Sequence, residues 1–208
     1  MSNWLMVNRT RLGAGKWGFG NMEVESTEYA VSWDDLKAPA TAINPPGQAS
    51  DPDRETDTGL LLFAPSGTEL VYVMMQMPHA WQEGSNISPH VHWTKTTSAS
   101  GDVAWQLRHQ ILPIGEVGPG DWSDADLVSD PVEGTPDGDT AWEHLLTSFT
   151  DIEMSDGGSN YGLSTCVLFE LSRVGGDAAD TYGADARLLE FDVHYQIDSF
   201  GSEQEFVK

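Results

Sequence analysis

Residues 187–198, RLLEFDVHYQID, alternate so strictly that they admit one local structure. Leu189, Phe191, Val193, Tyr195 and Ile197 fall on one face, and Glu190, Asp192, His194 and Gln196 on the other. A period of two belongs to a β-strand with one buried face; a helix would scatter these residues around its axis. Asp102 to Leu112 repeats the pattern, with Val103, Trp105, Leu107, His109 and Ile111 opposed to Ala104, Gln106, Arg108 and Gln110. Tyr161 to Val174 alternates again, placing Thr165, Val167, Phe169 and Leu171 together.

Shorter apolar runs read as further strands: Gly59 to Phe63, Leu70 to Met77 and His90 to Thr96. One more is expected around Trp122 to Val128, while Ala141 to Thr150 reads as a strand or a single helical turn. Gly, Pro, Asp and Ser clusters punctuate the intervals, and the loop RVGGDAADTYGADA has room for a short helix. There is no long amphipathic helix, internal repeat or heptad. About eight strands separated by turns make an all-β fold, an antiparallel β-sandwich, with a jelly roll as its expected form because that architecture deals with exposed sheet edges.

Residues 1–58 differ. Gly13, Gly15, Gly18 and Gly20 interrupt RLGAGKWGFGN, and prolines fill LKAPATAINPPGQASDPD. Only short strands, such as Glu23 to Trp33, are expected there. Trp4, Trp17, Phe19, Tyr29 and Trp33 are too many aromatics for a disordered tail. The expected organisation is an extended N-terminal arm over 1–58, ordered against its own domain or a neighbouring subunit, and a sandwich domain over 59–208.

Charge narrows the partners. Thirty-three Asp and Glu against 10 Lys and Arg give a formal charge of −23. Phosphate backbones and anionic membranes both need clustered cations, so neither nucleic acid nor a membrane is an expected partner. The N-terminus lacks a long apolar stretch, so no signal peptide is expected. Cys166 is the only cysteine, which excludes an internal disulfide and points to synthesis in a reducing cytoplasm. Lying in the apolar run STCVLF, it reads as an inert core thiol.

Chemistry concentrates between Pro78 and Trp93, PHAWQEGSNISPHVHW. His90 and His92 stand at i and i+2 of a strand, on one face and roughly 6–7 Å apart, close enough to share a metal ion. His194, on the polar face of the last strand, is the possible third ligand, with Glu190 beside it. Gly84 and the histidine pair form G-x5-H-x-H, which resembles the first half of the cupin metal motif. The glutamate that follows in cupins is replaced here by WTKTT, and the second motif is absent. The competing reading gives Val91 and Trp93 to the core and leaves the histidines to solvent or an interface.

The acids Asp51, Asp53, Glu55 and Asp57 resemble the start of a Ca2+ loop, but Thr56 stands where the required glycine would be; in a chain this acidic such a run is ordinarily solvated. There is no nucleophile elbow, P-loop or dinucleotide fingerprint, so neither an enzyme nor a cofactor is expected. Eight tryptophans raise the possibility of stacking on sugar rings. Trp93 and Trp105 are expected in the core, and Trp81 and Trp122 near loops with exposed roles.

WDDLKAPATAINPPG, TGLLLF, PHAWQEGSNISPHVHW and RLLEFDVHYQIDSFGSEQEF together resemble a family of small virion structural proteins of tailed bacteriophages. The resemblance runs from about residue 33 to the C-terminus. It implies a structural component of the particle, on the head or the tail, made in the host cytoplasm and located in the virion. Because closed symmetry is the rule, the expected form is a homo-oligomer, a trimer. Its partners would be the major capsid protein or tail proteins, and its role capsid decoration, or cement. A tail or head–tail connector component, a cupin-like metal-dependent enzyme and a glycan-binding module for host recognition are the alternatives.

Overall fold

The structure is a computed structural model that describes residues 10–11, 16–19, 22–25, 32–115, 121–132, 141–156, 158–202 and 204–205. The chain divides into two compact units, Met1–Ser32 and Trp33–Lys208. The break therefore lies ahead of the 58/59 boundary read from the sequence.

In chain order the strands are β1 (Thr10–Arg11), β2 (Lys16–Phe19), β3 (Met22–Glu25), β4 (Ser32–Pro39), β5 (Asp53–Arg54), β6 (Leu61–Phe63), β7 (Thr68–Gln76) and β8 (Ile87–Lys95). They continue with β9 (Gly101–Leu112), β10 (Asp126–Val132), β11 (His144–Ser148), β12 (Ser155–Asp156), β13 (Ser159–Asn160), β14 (Cys166–Val174) and β15 (Ala186–Ile197). Among the described residues there is no helix. In the first unit, β1, β2 and β3 form a small antiparallel sheet.

The second unit is a β-sandwich. One sheet has the order β10-β9-β14-β7; the other runs β11-β8-β15-β6-β5, with β4 also pairing β15. The chain crosses from sheet to sheet at most connections and returns its last two long strands to the middle of each sheet. That interleaving is the jelly-roll order. It has one consequence for function: β8 and β15, about a hundred residues apart in sequence, become hydrogen-bonded neighbours. β5 joins this second sheet through β6 and β4 through β15, and beside them the Arg54 guanidinium donates to the carbonyls of Ala40, Gly59 and Ile43.

The inner faces follow the alternation. Val71, Val73 and Met75 of β7, Val103, Trp105 and Leu107 of β9, and Val167, Phe169 and Leu171 of β14 are buried. They meet Leu61, Phe63, Val91, Trp93, Phe191 and Val193 of the other sheet. Edge-on ring pairs join the layers: Phe169 with Phe191 at 5.0 Å, and Trp105 with Phe63 at 5.2 Å and Trp93 at 6.0 Å. The Trp93 indole N–H donates to Thr147 Oγ1 at 3.0 Å, which makes its burial affordable.

Strict alternation fails at one place. In β15 both Leu188 and Phe191 are fully buried although their positions have opposite parity. A β-bulge between Leu188 and Glu190 resolves this by leaving Leu189 out of the register with β8, its carbonyl accepting instead from the Ala40 N–H at 2.9 Å. Leu189 is consequently only half-buried, and not a core residue as its place in the alternation suggests.

The loop after β14 holds no helix. It is built on Arg173, which shares the inner face of β14 and has no solvent exposure. Its Nε and Nη2 donate to the two oxygens of Asp180, each at 2.8 Å, and its Nη1 and Nη2 to the carbonyls of Phe63, Ala184 and Tyr182. All five guanidinium donors are thus satisfied. Asp180 Oδ2 also accepts from the Ala104 N–H at 3.0 Å, linking the loop to β9. At the start of β9, Gly101 (φ +148°) passes so close to the same loop that a Cβ there would lie 2.6 Å from the Tyr182 Cα.

Candidate functional site

The histidines are where the sequence placed them, on the outer face of the larger sheet. β8 gives Val91 and Trp93 to the core and turns His90 and His92 outward. The register then adds partners from both neighbours. On β15, Asp192 lies opposite His90, Glu190 opposite His92 and His194 opposite Ser88. On β11, Ser148 lies opposite His90, Leu146 opposite His92 and His144 opposite Thr94.

Asp192 is the centre of this arrangement. It projects outward, yet it is only 2% exposed, because imidazole rings cover it. His90 and His194 lean together with ring centroids 4.3 Å apart, and His92 leans on His144 at 5.0 Å. His90 Nδ1 stands 3.8 Å from Asp192 Oδ1. Asp192 Oδ2 lies 3.3 Å from His92 Nε2 and 3.5 Å from His194 Nε2. His194 Nε2 also faces Asp35 Oδ1 of β4 at 3.1 Å. His92 Nδ1 bonds His144 Nε2 at 2.7 Å, leaving its other nitrogen turned toward the carboxylate.

Three buried polar atoms in this cluster make no hydrogen bond: His90 Nδ1, His92 Nε2 and Asp192 Oδ1. Burial, followed by the charge of His194, holds the His90 pKa below the usual imidazole value, although Asp192 opposes this. His90 is therefore a neutral imidazole near pH 7, the form that ligates metals.

Of the three residues expected to bind metal, His90 and His194 converge directly. Their ligand atoms and that of Asp192 all lie within 4.8 Å of one another. His92 faces the same carboxylate from its other side and is outside that group of three. Asp192 and His144 join them without being among the residues expected from the sequence. Asp192 was legible in principle, since it lies between Glu190 and His194 on the polar face of a clear strand. His144 comes from the segment with the weakest pattern. The acid beside the histidine pair comes from β15, a hundred residues downstream, and not from the residues that follow the pair.

The acidic run does not converge. Asp51 Oδ2 accepts from the N–H groups of Gly47 and Gln48 at 2.6 and 2.8 Å, and Glu55 pairs with Arg187 at 3.0 Å. The hydroxyl of Thr58, then Arg187, keeps the Glu55 carboxyl below its ordinary pKa.

A second surface lies on the outer face of the smaller sheet. Tyr72 of β7, Glu170 of β14 and Arg108 of β9 sit directly opposite one another across three adjacent strands. Arg108 Nε donates to Glu170 Oε1 at 2.8 Å, and its Nη2 reaches the same oxygen. Trp122, from the loop before β10, lies over this row, with its ring stacked on Tyr72 at 5.9 Å and the Arg108 guanidinium 5.4 Å from its centre. Gln106, Gln110 and Gln76 share the face, with Met74 and Leu127 exposed around it. Burial, and then the Glu170 carboxylate, raises the Tyr72 pKa above that of a free phenol, so its hydroxyl stays protonated.

The tryptophans divide differently from expectation. Trp93 and Trp105 are in the core as read, but Trp81 is also fully buried, in contrast to the exposed role expected for it. It bridges β15 through Ile197 at the end of the sandwich, so proximity to a loop did not imply exposure. Trp122 is half-buried on the outer surface. Trp33 and Trp142 are exposed, and Trp142 has the left-handed φ of 86° with Arg187 stacked 4.0 Å from its ring. Cys166 is half-buried on the outer face of the smaller sheet, opposite Gln76 and Leu112, and not in the core.

No family model matches the chain, and no curated protein matches it. Solved structures similar to it include a cycloisomaltooligosaccharide glucanotransferase from Paenibacillus sp., of which the chain spans 18% while 75% of the chain is covered, at 11% identity and a TM-score of 0.40. The CBM35 carbohydrate-binding module of Cellvibrio japonicus Abf62 is similar over 77% of this chain and 92% of the module, at 11% identity and a TM-score of 0.40. The CBM36-1 domain of a multidomain xylanase from the hindgut metagenome of Trinervitermes trinervoides is similar over 81% of this chain and 100% of the domain, at 9% identity and a TM-score of 0.39. These neighbours are carbohydrate-binding modules and a glycan-active enzyme. The expectation of a virion protein with a capsid-decoration or tail role is corrected: no family model matches the resemblance that suggested it, and none of these neighbours is a virion protein.

Proposed function

We propose that this chain is a glycan-binding β-sandwich, with the outer face of the β10-β9-β14-β7 sheet as its contact surface and no reaction catalysed there. One observation carries the reading: the row Tyr72–Glu170–Arg108 across three strands, overlaid by Trp122. A pyranose ring has an apolar face of C–H groups and a rim of hydroxyls. It needs a flat aromatic surface and fixed donors and acceptors at that surface's edge. Tyr72 and Trp122 supply the first. The Glu170 carboxylate, the Arg108 guanidinium and the amides of Gln106 and Gln110 supply the second. Because Arg108 is tied to Glu170, the polar groups are held in place before the sugar arrives, which lowers the entropic cost of binding.

The chain's charge of −23 selects among glycans. A polyanionic saccharide would be repelled over the whole surface. The expected ligands are therefore neutral polysaccharides or oligosaccharides. On an immobilised panel of neutral, sialylated and sulfated glycans, the protein is expected to be retained by one or more neutral members. Retention should persist in high salt. Failure to be retained by any neutral glycan would remove this reading.

A further inference from the structure

The cluster on the opposite outer face calls for a different ligand. We propose that His90, Asp192 and His194 bind a divalent first-row transition-metal ion, with zinc the best fit, and that His92, held by His144, is the positioning residue for Asp192.

The donor set carries the assignment. Two imidazoles and a carboxylate suit a borderline cation such as Zn2+ better than Ca2+ or Mg2+, which take oxygen ligands almost exclusively. The spacing agrees. With metal–ligand bonds of about 2.0–2.1 Å in a tetrahedron, neighbouring ligand atoms lie roughly 3.3–3.4 Å apart. The Asp192 oxygens stand 3.8 Å from His90 Nδ1 and 3.5 Å from His194 Nε2, and all three ligand atoms lie within 4.8 Å of one another. Small side-chain rotations would close the remaining gap.

Unmet hydrogen bonding is the second, independent sign. Asp192 Oδ1 and His90 Nδ1 are buried and make no hydrogen bond, although a buried polar atom ordinarily finds a partner. A cation between them satisfies both. His92 shows the arrangement expected around a metal: its Nδ1 is engaged by His144 at 2.7 Å, and its Nε2 stands 3.3 Å from the Asp192 oxygen that faces away from His90. The site is on a sheet face, where β8 and β15 fix the backbone of every ligand, so little ordering is needed to bind. Half-exposed His194 leaves the remaining coordination position open toward solvent.

The test uses the full chain, dialysed against a chelator and titrated with ZnCl2 by calorimetry. One saturable site per chain, of micromolar affinity or tighter, is expected, and excess Ca2+ should not displace the zinc. Co2+ should show the visible absorption of a tetrahedral imidazole site. The double variant His90→Ala, His194→Ala should lose the site, at least a hundredfold in affinity. His92→Ala should lose about tenfold, as a positioning residue would. Zinc should also raise the melting midpoint of the wild-type protein. Should the double variant fail to fold, the near-isosteric Asp192→Asn provides the same comparison. The absence of a saturable site, or zinc binding that survives the double variant or is displaced by Ca2+, would overturn the proposal, since the acidic surface would then be the binder.

Discussion

Replacing Arg173 with alanine is expected to lower the unfolding free energy by about 3–5 kcal/mol, the largest loss of stability for any single polar residue described. The mechanism is the charge left behind. Arg173 is fully buried, and the Asp180 side chain is 1% exposed. Without the guanidinium, Asp180 keeps the Ala104 N–H but faces an apolar interior as an unpaired carboxylate. Three main-chain carbonyls, those of Phe63, Tyr182 and Ala184, lose their donors at once. Domains of this size are stable by only about 5–15 kcal/mol, so the variant should sit near its unfolding threshold. The double variant Arg173→Ala, Asp180→Ala should be less destabilised than the sum of the two singles, because the stranded charge is gone. Urea denaturation of the three variants measures both quantities. A loss below about 1 kcal/mol for Arg173→Ala would show that the loop rests on other contacts.

The second large effect is on binding. Tyr72→Ala and Trp122→Ala are each expected to weaken the neutral glycan by about tenfold, and the double variant by roughly a hundredfold, about 3 kcal/mol. Tyr72 is 39% exposed and Trp122 half-buried, so neither anchors the core and both variants should fold. Arg108 behaves differently. Its removal strands Glu170, which is 5% exposed, so Arg108→Ala should lose stability as well as affinity. Affinity electrophoresis in gels carrying the retained polysaccharide separates the two cases. Unchanged mobility of the Tyr72→Ala, Trp122→Ala protein would place the sugar elsewhere.

Much of this fold could be read from alternation alone. The three long strands β9, β14 and β15 bury most of the residues their period assigns to the core, with His109, Leu189 and Ile197 only half-buried, because a half-buried sheet leaves a direct trace in sequence. Strand count and turn spacing point to the sandwich, and the need to deal with exposed edges to a jelly roll, and the observed pairing bears out both. What period could not show is where a strand adds a residue: Leu188 and Phe191 both face inward only because Leu189 bulges. Nor could it show that Arg173, in an inward position of β14, carries a buried charge whose partner comes from a loop. β4 and β5 are hidden among prolines and acids: β5 is two residues long, and β4, SWDDLKAP, interrupts its apolar residues with Asp34, Asp35 and Lys37.

The sites were partly legible for the same reason. His90, His92 and His194 are polar residues at outward positions of clear strands. That β8 and β15 are neighbours depends on topology, so Asp192 could not be joined to them by sequence distance. The Tyr72–Glu170–Arg108 row needs the registers of three strands at once. Trp81 departs from its expected exposure because a residue near a turn can still point inward, as it does with no solvent exposure.

The most direct test of the glycan surface is a 1H–15N spectrum of the eight indole N–H groups, recorded as the retained neutral glycan is added. The Trp122 signal is expected to move with saturation, while those of buried Trp81, Trp93 and Trp105 stay in place. Movement of Trp33 or Trp142 with Trp122 unmoved would contradict the assignment of the sugar to the β10-β9-β14-β7 face.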